Sequence, residues 1–384
     1  MARYKDNLRQ CPKCHSEFYP GECDVVATFP EKTKGEVLEE APKSGLRREL
    51  ARMHSTPLKG SRFVNRLARR RCPVCGYFLP PNIDRVPTVN VAVVGNYNSG
   101  KSHYIASLIQ QLHQGLMQSS TKYARFVSVT PDVEGFYHNN YIIPLYSNQQ
   151  MLPNTRPLGD GEIIEPLVYE LTVRISDEYL PKSINLVIHD ASGEDYASPE
   201  KIVAFTRHVL NAKALIYLAD PLEIPKIAKE MPGHIVLPTQ ANSPSAMLSK
   251  IEMLMEQLKG TRPGMGLQDI PVAVTLSKSD LLKKLRPISQ AYNIFANPSY
   301  GYSGGIDFDD LDIVNREVQE ILNKFEGHSL LQAISESKRA RFFAVSATGE
   351  PPDASGSYAK VEPIRCLDPF LWILHQLELV PENW

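Results

Sequence analysis

The chain has 384 residues, of which 42 % are hydrophobic and 22 % are charged, as in ordinary soluble globular proteins. Its 42 Lys and Arg balance 43 Asp and Glu, so the overall charge gives no indication of a nucleic-acid partner. No apolar run approaches the roughly 20 residues that a membrane span needs, and the first residues lack the apolar stretch of a signal peptide. These features lead us to expect a cytoplasmic protein.

Four of the six cysteines form two CPxC pairs near the N-terminus. Each CxxC turn points two thiolates toward one centre, so two turns supply the four sulfurs of a tetrahedral zinc site. The pattern resembles a zinc ribbon, and its predicted ligands are Cys11, Cys14, Cys72 and Cys75. We expect a structural zinc, because four protein ligands leave no open position; buried or redox-active cysteines are the alternative. His15 is a further candidate ligand, although a bystander role is expected for it, and packing roles are expected for Cys23 and Cys366.

The segment between the two cysteine pairs is much longer than the roughly 15–20 residues of a usual ribbon spacer, which predicts an insert over residues 24–71. Residues 41–71 contain ten Lys and Arg and the single acid Glu49. Their apolar residues recur at helical spacing, which predicts two short amphipathic helices separated near Pro57–Gly60. The basic faces of these helices would be formed by Arg47, Arg48, Arg52, Arg62, Arg66, Arg69, Arg70 and Arg71. Such a face could bind nucleic-acid phosphate, an acidic membrane surface or an acidic protein, or it could pack on the acidic remainder of the same chain.

A phosphate-binding loop is indicated after the apolar run Val89–Val94, which has the composition of a strand buried in a parallel sheet. Residues 95–102 match the pattern GxxxxGK[ST], and a helical pattern over His103–Met117 follows. In this context backbone N–H groups and the helix N-terminus hold phosphates, the lysine reaches the β- and γ-phosphates, and the serine hydroxyl binds magnesium. The nucleotide-binding residues predicted here are Gly95, Asn98, Ser99, Gly100, Lys101, Ser102 and His103.

A second apolar strand, Ser183–His189, is followed by Asp190 and, three residues later, by Gly193. An acid at the carboxyl end of a buried strand beside the P-loop strand lies where the Walker B aspartate holds the hydration shell of the metal. The glycine of this DxxG spacing offers a backbone N–H to the γ-phosphate. We therefore predict a magnesium role for Asp190 and a nucleotide contact for Gly193.

Two later strands precede the residues that would select the base. Val272–Leu276 is followed by Ser277, Lys278, Ser279 and Asp280, and Arg341–Val345 is followed by Ser346 and Ala347. These stretches resemble the [NT]KxD and SA(K) motifs of GTPases. The resemblance implies that Asp280 accepts from N1–H and N2–H₂ of guanine, that the Lys278 stem lies along the base, and that the Ala347 N–H meets O6. A site built for those donors disfavours adenine. Ser277 stands where the family usually has Asn or Thr, so one contact that fastens the loop is shorter, which affects how tightly the nucleotide binds.

The four motifs, taken in order over residues 86–384, resemble the TRAFAC class of P-loop GTPases. The ending Leu367–Leu374 is similar to the final helix of the bacterial double-GTPase families, some of which carry N-terminal zinc ribbons and are proposed to act in conflict or stress gene clusters. The resemblance implies binding of GTP or GDP with Mg²⁺, and a switch threonine that closes over the metal and the γ-phosphate. We choose Thr155, with Thr130 and Thr121 as alternatives and an ordinary loop role still open.

The predicted catalytic residues are Lys101, Thr155 and Glu194. Glu194 follows the DxxG motif, where Ras-like proteins carry the Gln that orients the attacking water; a carboxylate could orient or deprotonate that water but adds negative charge beside the γ-phosphate. Asn98 stands where some TRAFAC GTPases use a bound K⁺ and dimerise across their nucleotide faces, but it is equally compatible with simple capping of the loop. Arg156, next to the switch threonine, is a candidate internal arginine finger.

The alternation of strands and helices predicts an α/β fold, a Ras-like P-loop NTPase sheet with helices on both faces and one antiparallel edge. A zinc-ribbon head with the basic helical insert would occupy residues 1–85, and the nucleotide domain residues 86–384. Insertions are expected near 119–165, 221–245 and 285–310. The resulting hypothesis is a GTP-hydrolysing switch whose zinc-stabilised head recruits a protein partner. A GTP-binding scaffold with negligible hydrolysis and a P-loop ATPase are the alternatives.

Overall fold

The structure is a computed structural model, and the chain forms a cysteine-rich head at the N-terminus and a body built on a large sheet. The structure describes residues 7–29, 32–53, 67–118, 124–155, 164–173, 181–192, 207–233, 235, 237–238, 244–259, 267–268, 270–285, 288–297, 306–335, 337 and 339–380. Among these residues, no helix combines the length and the apolar character needed to cross a membrane.

The head contains two small sheets and one helix. Strands β1 (Arg9–Gln10) and β2 (Glu17–Phe18) form a hairpin around the first cysteine pair. Strands β3 (Val25–Phe29), β4 (Lys32–Glu39) and β5 (Leu67–Arg70) form an antiparallel sheet in the order β4-β3-β5. Helix α1 covers Gly45–Met53.

The predicted helical character of the insert is wrong in part. Helix α1 lies where the first amphipathic helix is predicted, but Leu67–Arg70 is a strand where the second helix would end, and residues 54–66 lie outside the described residues. Strand β5 pairs with β3 along its whole length, from Val25 opposite Arg70 to Thr28 opposite Leu67. Pairing with a segment distant in sequence therefore outweighs the local helical periodicity.

The predicted basic face is largely neutralised within the chain. Arg48 and Arg52 on α1 share Glu22, at 2.5 and 2.8 Å. The other three pairs are Arg69 with Asp132 at 3.8 Å, Arg70 with Asp84 at 2.8 Å and Arg71 with Asp24 at 3.1 Å. Five of the six described arginines of this face thus pair with carboxylates of this chain, which favours the interpretation that the basic charge serves packing within the molecule.

The body is built on seven strands, which follow one another as β6 (Thr88–Gly95), β7 (Ala124–Ser128), β8 (Leu167–Val173), β9 (Lys182–Ile188), β10 (Ala214–Ala219), β11 (Val272–Leu276) and β12 (Ala340–Ala344). They form one sheet in the order β12-β11-β10-β6-β9-β8-β7. The five strands from β12 to β9 are parallel, whereas β8 runs antiparallel to both β9 and β7. The predicted antiparallel edge is confirmed, and β7 extends it by one strand.

The helices of the body are α2 (Lys101–Gln118), α3 (Pro131–Tyr137), α4 (Pro225–Glu230), α5 (Ala246–Lys259), α6 (Phe308–Lys324), α7 (His328–Ala333) and α8 (Asp368–Gln376). A π-helix covers His138–Ser147 directly after α3. Short 3₁₀ helices cover Pro20–Glu22, Pro221–Glu223, Ser279–Lys284 and Asn293–Phe295.

Side chains along β6 alternate between two separate cores. Val91 and Val93 pack with α2 and α8 on one face of the sheet, while Ala92 and Val94 pack with α5 and α6 on the other. Strand β10 alternates in the same way, and all six of its residues are buried. A strand covered on both faces reads as a continuous apolar run, which is the pattern seen in the sequence. The predicted α/β fold with helices on both faces is confirmed.

The regions predicted as insertions carry elements of their own. Strand β7, α3 and the π-helix lie within 119–165, α4 lies within 221–245, and a 3₁₀ helix lies within 285–310. The division into domains at residue 85 stays a prediction.

Candidate nucleotide and metal sites

The sulfurs of the two cysteine pairs meet at one point. Cys11 Sγ lies 3.8 Å from Cys75 Sγ, Cys14 Sγ lies 3.7 Å from Cys72 Sγ, and all four sulfurs lie within 4.8 Å of one another. Tetrahedral coordination with zinc–sulfur bonds near 2.3 Å requires sulfurs about 3.8 Å apart. All four thiols are free of disulfide bonds. Their number and spacing therefore fit the structural zinc that the sequence predicts.

The two CPxC turns, which are the predicted zinc knuckles, have the same backbone turn but different residues at its last position. His15 N donates to Cys11 O and Gly76 N donates to Cys72 O, both at 3.0 Å. His15 and Gly76 occupy equivalent left-handed positions, with φ of 59° and 73°. Glycine is the usual residue at such a position, so the histidine holds a conformation that few side-chain-bearing residues adopt.

The His15 side chain is not part of the four-sulfur group and joins the head to the body. Its ring is buried and lies 5.2 Å from the ring of His189, the residue before Asp190. Burial lowers the pKa of His189 well below its ordinary value, so this ring is neutral. The first zinc knuckle thus packs against the strand end that carries Asp190.

Further contacts fasten the head to the same side of the body. Gln10 Nε2 donates to Asn211 Oδ1 at 3.1 Å, and Asn82 Nδ2 donates to Glu170 Oε2 at 2.8 Å. Lys13 forms an ion pair with Glu165.

The P-loop connects β6 to α2 in the conformation that its sequence requires. A Cβ on Gly95 would lie 2.5 Å from the carbonyl oxygen of Leu218 on β10, so only glycine fits there. Asn98 and Gly100 adopt left-handed φ values of 62° and 87°. Asparagine tolerates this conformation better than most residues, which gives Asn98 a backbone role that needs no potassium ion. Lys101 Nζ donates to the Gly95 and Asn96 carbonyls, both at 2.9 Å, and so curls over the loop.

Three predicted magnesium residues meet at the N-terminus of α2. Ser102 Oγ lies 2.8 Å from Thr155 Oγ1 and 3.1 Å from Asp190 Oδ1, and Thr155 Oγ1 lies 3.4 Å from Asp190 Oδ2. Oxygen ligands in adjacent positions of a magnesium octahedron, with bonds of 2.0–2.1 Å, are about 2.9 Å apart. The serine and threonine hydroxyls have this separation. Of the alternative threonines, Thr130 is the buried residue before α3, and Thr121 lies outside the described residues.

Asp190 lies at this point as a partly buried carboxylate that accepts from several donors. Burial raises its pKa, while hydrogen bonds from Ser102 and Tyr141 and the charge of Lys101 act in the opposite direction. The Tyr141 hydroxyl donates to Asp190 Oδ2 at 2.9 Å. A cation at the serine and threonine hydroxyls would supply the opposite charge that a partly buried carboxylate needs.

The segment that leads to Thr155 is held from two sides. Leu152 N donates to His103 Nε2 at 3.1 Å, and burial lowers the pKa of His103 to about 4, which keeps this nitrogen free to accept. On the other side, Met151 N donates to Gly356 O and Tyr358 N donates to Gln149 O, both at 2.8 Å. The segment that carries the predicted switch residue Thr155, called the switch segment below, is therefore tied to the loop that follows Ser346 and Ala347.

The residues predicted to recognise the base lie at the ends of β11 and β12. Asp280 Oδ1 accepts from Ser346 Oγ at 2.6 Å. Lys278 has a left-handed φ of 50°, and its Nζ donates to Asp220 Oδ2 at 2.6 Å. Ser277 Oγ reaches the Ala219 carbonyl at 3.2 Å, the short loop contact expected from its size. Ala347 follows Ser346, and its carbonyl accepts from Ser107 Oγ of α2 at 2.7 Å.

Some predicted residues cannot be placed, and others were not predicted. Gly193, Glu194 and Arg156 lie outside the described residues. Sequence reasoning missed Asp220, which holds Lys278, and Glu223, which accepts from the P-loop Asn96 at 2.9 Å and whose pKa burial raises to about 7. In the sequence, these two acids are marked only by their position within four residues of the end of strand β10. No pattern in the sequence around Tyr141 predicts its contact with Asp190.

Comparison with known proteins identifies related chains. The model of the Double-GTPase 2 family matches residues 89–340. SaeC of Mycolicibacterium smegmatis (strain ATCC 700084 / mc(2)155), described as a proposed ESX-1 scaffolding and assembly protein, is 27 % identical over 404 residues, covering 95 % of this chain and 98 % of its own.

Among solved structures, the signal recognition particle receptor SRb-GTP/SRX complex from Chaetomium thermophilum has a TM-score of 0.30 at 12 % identity, with 70 % of this chain and 95 % of that chain covered. Sup35 complexed with GDP has a TM-score of 0.27 at 9 % identity, with 68 % of this chain and 38 % of that chain covered. Similarity at this level does not carry the assignment, which rests on the family match.

Proposed function

The chain belongs to the Double-GTPase 2 family, and from this membership we propose that it binds GTP and GDP with Mg²⁺ and hydrolyses GTP to GDP and phosphate. In this proposal the phosphates lie on the P-loop, Ser102 and Thr155 bind the metal, and Asp190 orients its hydration shell. Asp280 and Lys278 hold the guanine. The zinc-stabilised head acts as the surface through which the nucleotide state reaches a protein partner.

The main support for the proposal is the position of Thr155 beside Ser102 and Asp190. Thr155 lies more than fifty residues after Ser102 and comes from an irregular segment, yet its hydroxyl is 2.8 Å from that of Ser102 and 3.4 Å from Asp190. Three oxygens from a helix N-terminus, a loop and a strand end converge, and hard oxygen ligands are those that Mg²⁺ prefers. A P-loop ATPase could share this metal site, but it gives no reason for the Asp280–Ser346 pair beside the base position.

A second candidate function is a GTP-binding scaffold with negligible hydrolysis. Two features favour it: the relative SaeC is described as a proposed scaffolding and assembly protein, and Glu194 stands where Ras-like proteins carry Gln. The switch segment is also tied to the 356–358 loop, which limits how far it opens. For both candidate functions we propose a cytoplasmic location. A nucleotide-dependent dimer and a K⁺ ion at Asn98 are part of the proposal only for the GTP-hydrolysing function.

We expect calorimetric titration to show binding of GDP in the presence of Mg²⁺ and no binding of ADP. Guanine offers Asp280 two N–H donors, whereas adenine offers its N6 amino group in another place, so the buried carboxylate would lose its partners with ADP. GTP and ATP serve as the second pair of ligands. Equal binding of ADP and GDP would contradict the guanine assignment and leave a P-loop ATPase.

We expect slow GTP turnover, on the order of 10⁻⁴ to 10⁻² per second as in GTPases without an external activator. Release of phosphate should fall at least tenfold in Thr155→Ala, because the proposed switch threonine closes over the metal and the γ-phosphate, while GDP affinity in EDTA, where no metal is bound, should change little. Thr130→Ala is the matched control, since Thr130 is the alternative threonine and should leave turnover unchanged. Replacing Na⁺ by K⁺ in the same assay tests the Asn98 route. Tight GTP binding without phosphate release in either salt would support the scaffold instead.

A further inference from the structure

Tyr141 is a buried hydroxyl group at the magnesium position that no sequence motif contains. It lies in the ten-residue π-helix His138–Ser147, and its side chain is 6 % exposed. Its hydroxyl lies 2.9 Å from Asp190 Oδ2. An ionised carboxylate only accepts hydrogen bonds, so the phenol is the donor.

The two oxygens of Asp190 are thereby held by different partners. Oδ1 accepts from Ser102 Oγ at 3.1 Å, and Oδ2 accepts from Tyr141 at 2.9 Å and faces Thr155 at 3.4 Å. A metal bound by Ser102 would engage that hydroxyl, which would leave the tyrosine as the neutral donor that fixes the plane of the carboxylate. Groups that hydrogen-bond metal-ligating carboxylates orient them and raise metal affinity.

We propose that Tyr141 is a positioning residue for magnesium, and that its hydroxyl holds Asp190 in the orientation that supports the metal beside Ser102 and Thr155. This inference rests on the proposed function, because it concerns the metal of the same nucleotide site. Tyr141 acts through Asp190 and contacts neither the nucleotide nor the reacting atoms.

Packing of neighbouring aromatic rings holds the Tyr141 side chain in place. Its ring stacks on that of Tyr137, with centroids 5.6 Å apart and planes at 26°, and Tyr137 is in turn packed edge-on against Tyr169 of β8. The π-helix continues α3, and such widened turns occur frequently at functional sites. A residue from the 119–165 region is thus placed against the strand end of β9.

Tyr137 provides a matched control within the same helical segment. It is also buried, and its hydroxyl donates at 2.8 Å to the Ala106 carbonyl, a backbone group of α2. Tyr141→Phe and Tyr137→Phe therefore each remove one buried hydroxyl and keep the ring. Only the first removes a contact with Asp190.

The experiment measures GDP affinity by fluorescence of a labelled GDP, in EDTA and across a Mg²⁺ titration, for wild type and both variants. We expect the three proteins to bind equally in EDTA. The Mg²⁺ concentration at half effect should rise 10–100-fold in Tyr141→Phe, the usual range for loss of a group that supports a metal ligand, and stay unchanged in Tyr137→Phe. In an Asp190→Asn background, Tyr141→Phe should add no further change in Mg²⁺ dependence.

The possible outcomes separate this inference from the proposed function. Mg²⁺-dependent GDP binding by wild type, with the same Mg²⁺ dependence in Tyr141→Phe, overturns the inference and leaves the proposed function intact. An equal loss of GDP affinity with and without Mg²⁺ shows a structural role only and also overturns it. Absence of GDP binding by wild type overturns both.

Discussion

Replacing Cys14 by Ser is expected to abolish stoichiometric zinc binding and unfold the head. The buried apolar cluster of the head consists of Cys11, Cys14, Phe18, Cys23, Cys72, Leu79 and Ile83, so three zinc-site cysteines supply a large part of it. This cluster of the described residues is small and four of its seven side chains are cysteines, and a structural metal is one of the ways in which small domains gain the missing stability. Structural zinc supplies an apparent folding free energy of about 10–16 kcal/mol in zinc-finger peptides at neutral pH.

Zinc content by mass spectrometry and limited proteolysis of residues 7–85 would measure this effect. Cys23→Ala is the matched control: Cys23 is buried in the same cluster, but its sulfur lies 3.7 Å from the Tyr19 carbonyl and outside the four-sulfur group. That variant should keep one zinc per chain and lose only the stability of a small cavity. A protease-resistant, metal-free head in Cys14→Ser would contradict the structural role of zinc.

Features written into short stretches of sequence could be predicted. The run from Val89 to Ser102 forms its strand, loop and helix start from residues that are neighbours in the chain, and the conformation of the loop follows from its glycines. The antiparallel pair β8 and β9 was likewise predictable, because both strands are apolar and lie close together in the sequence. Local physics determines such elements, so one sequence is enough to find them.

Features that depend on distant partners could not be predicted. Leu67–Arg70 has the spacing of a helix end, but it becomes a strand because β3 offers a complementary edge. Arg70 reads as a solvent-facing charge, but it is buried against Asp84. The residues around Tyr141 do not predict its contact with Asp190, because the two side chains meet only when the π-helix packs on the sheet.

The guanine assignment leads to the largest expected effect on binding, in Asp280→Ala. The Asp280 carboxylate is buried, with Oδ1 held at 2.6 Å by Ser346 Oγ, and Gly349 N in turn donates to that hydroxyl at 2.8 Å. Burial raises the pKa of Asp280 and the Ser346 hydrogen bond lowers it. The carboxylate is thus a buried acceptor held in one orientation, as the proposed pairing with two N–H donors of the base requires.

We expect Asp280→Ala to weaken GDP binding by about 10²–10⁴-fold, because each of two hydrogen bonds to a charged group contributes about 1.5–3 kcal/mol. Asp280→Asn makes the test specific: the amide replaces one acceptor by a donor, which matches the O2 carbonyl of xanthine where guanine has an amino group. That variant should bind XDP more tightly than GDP, in calorimetric titrations with both ligands. Failure of Asp280→Asn to gain XDP binding, with an unchanged thermal melt, would contradict the pairing of this carboxylate with the base. Unaltered GDP affinity in Asp280→Ala would show that the carboxylate does not read the base at all.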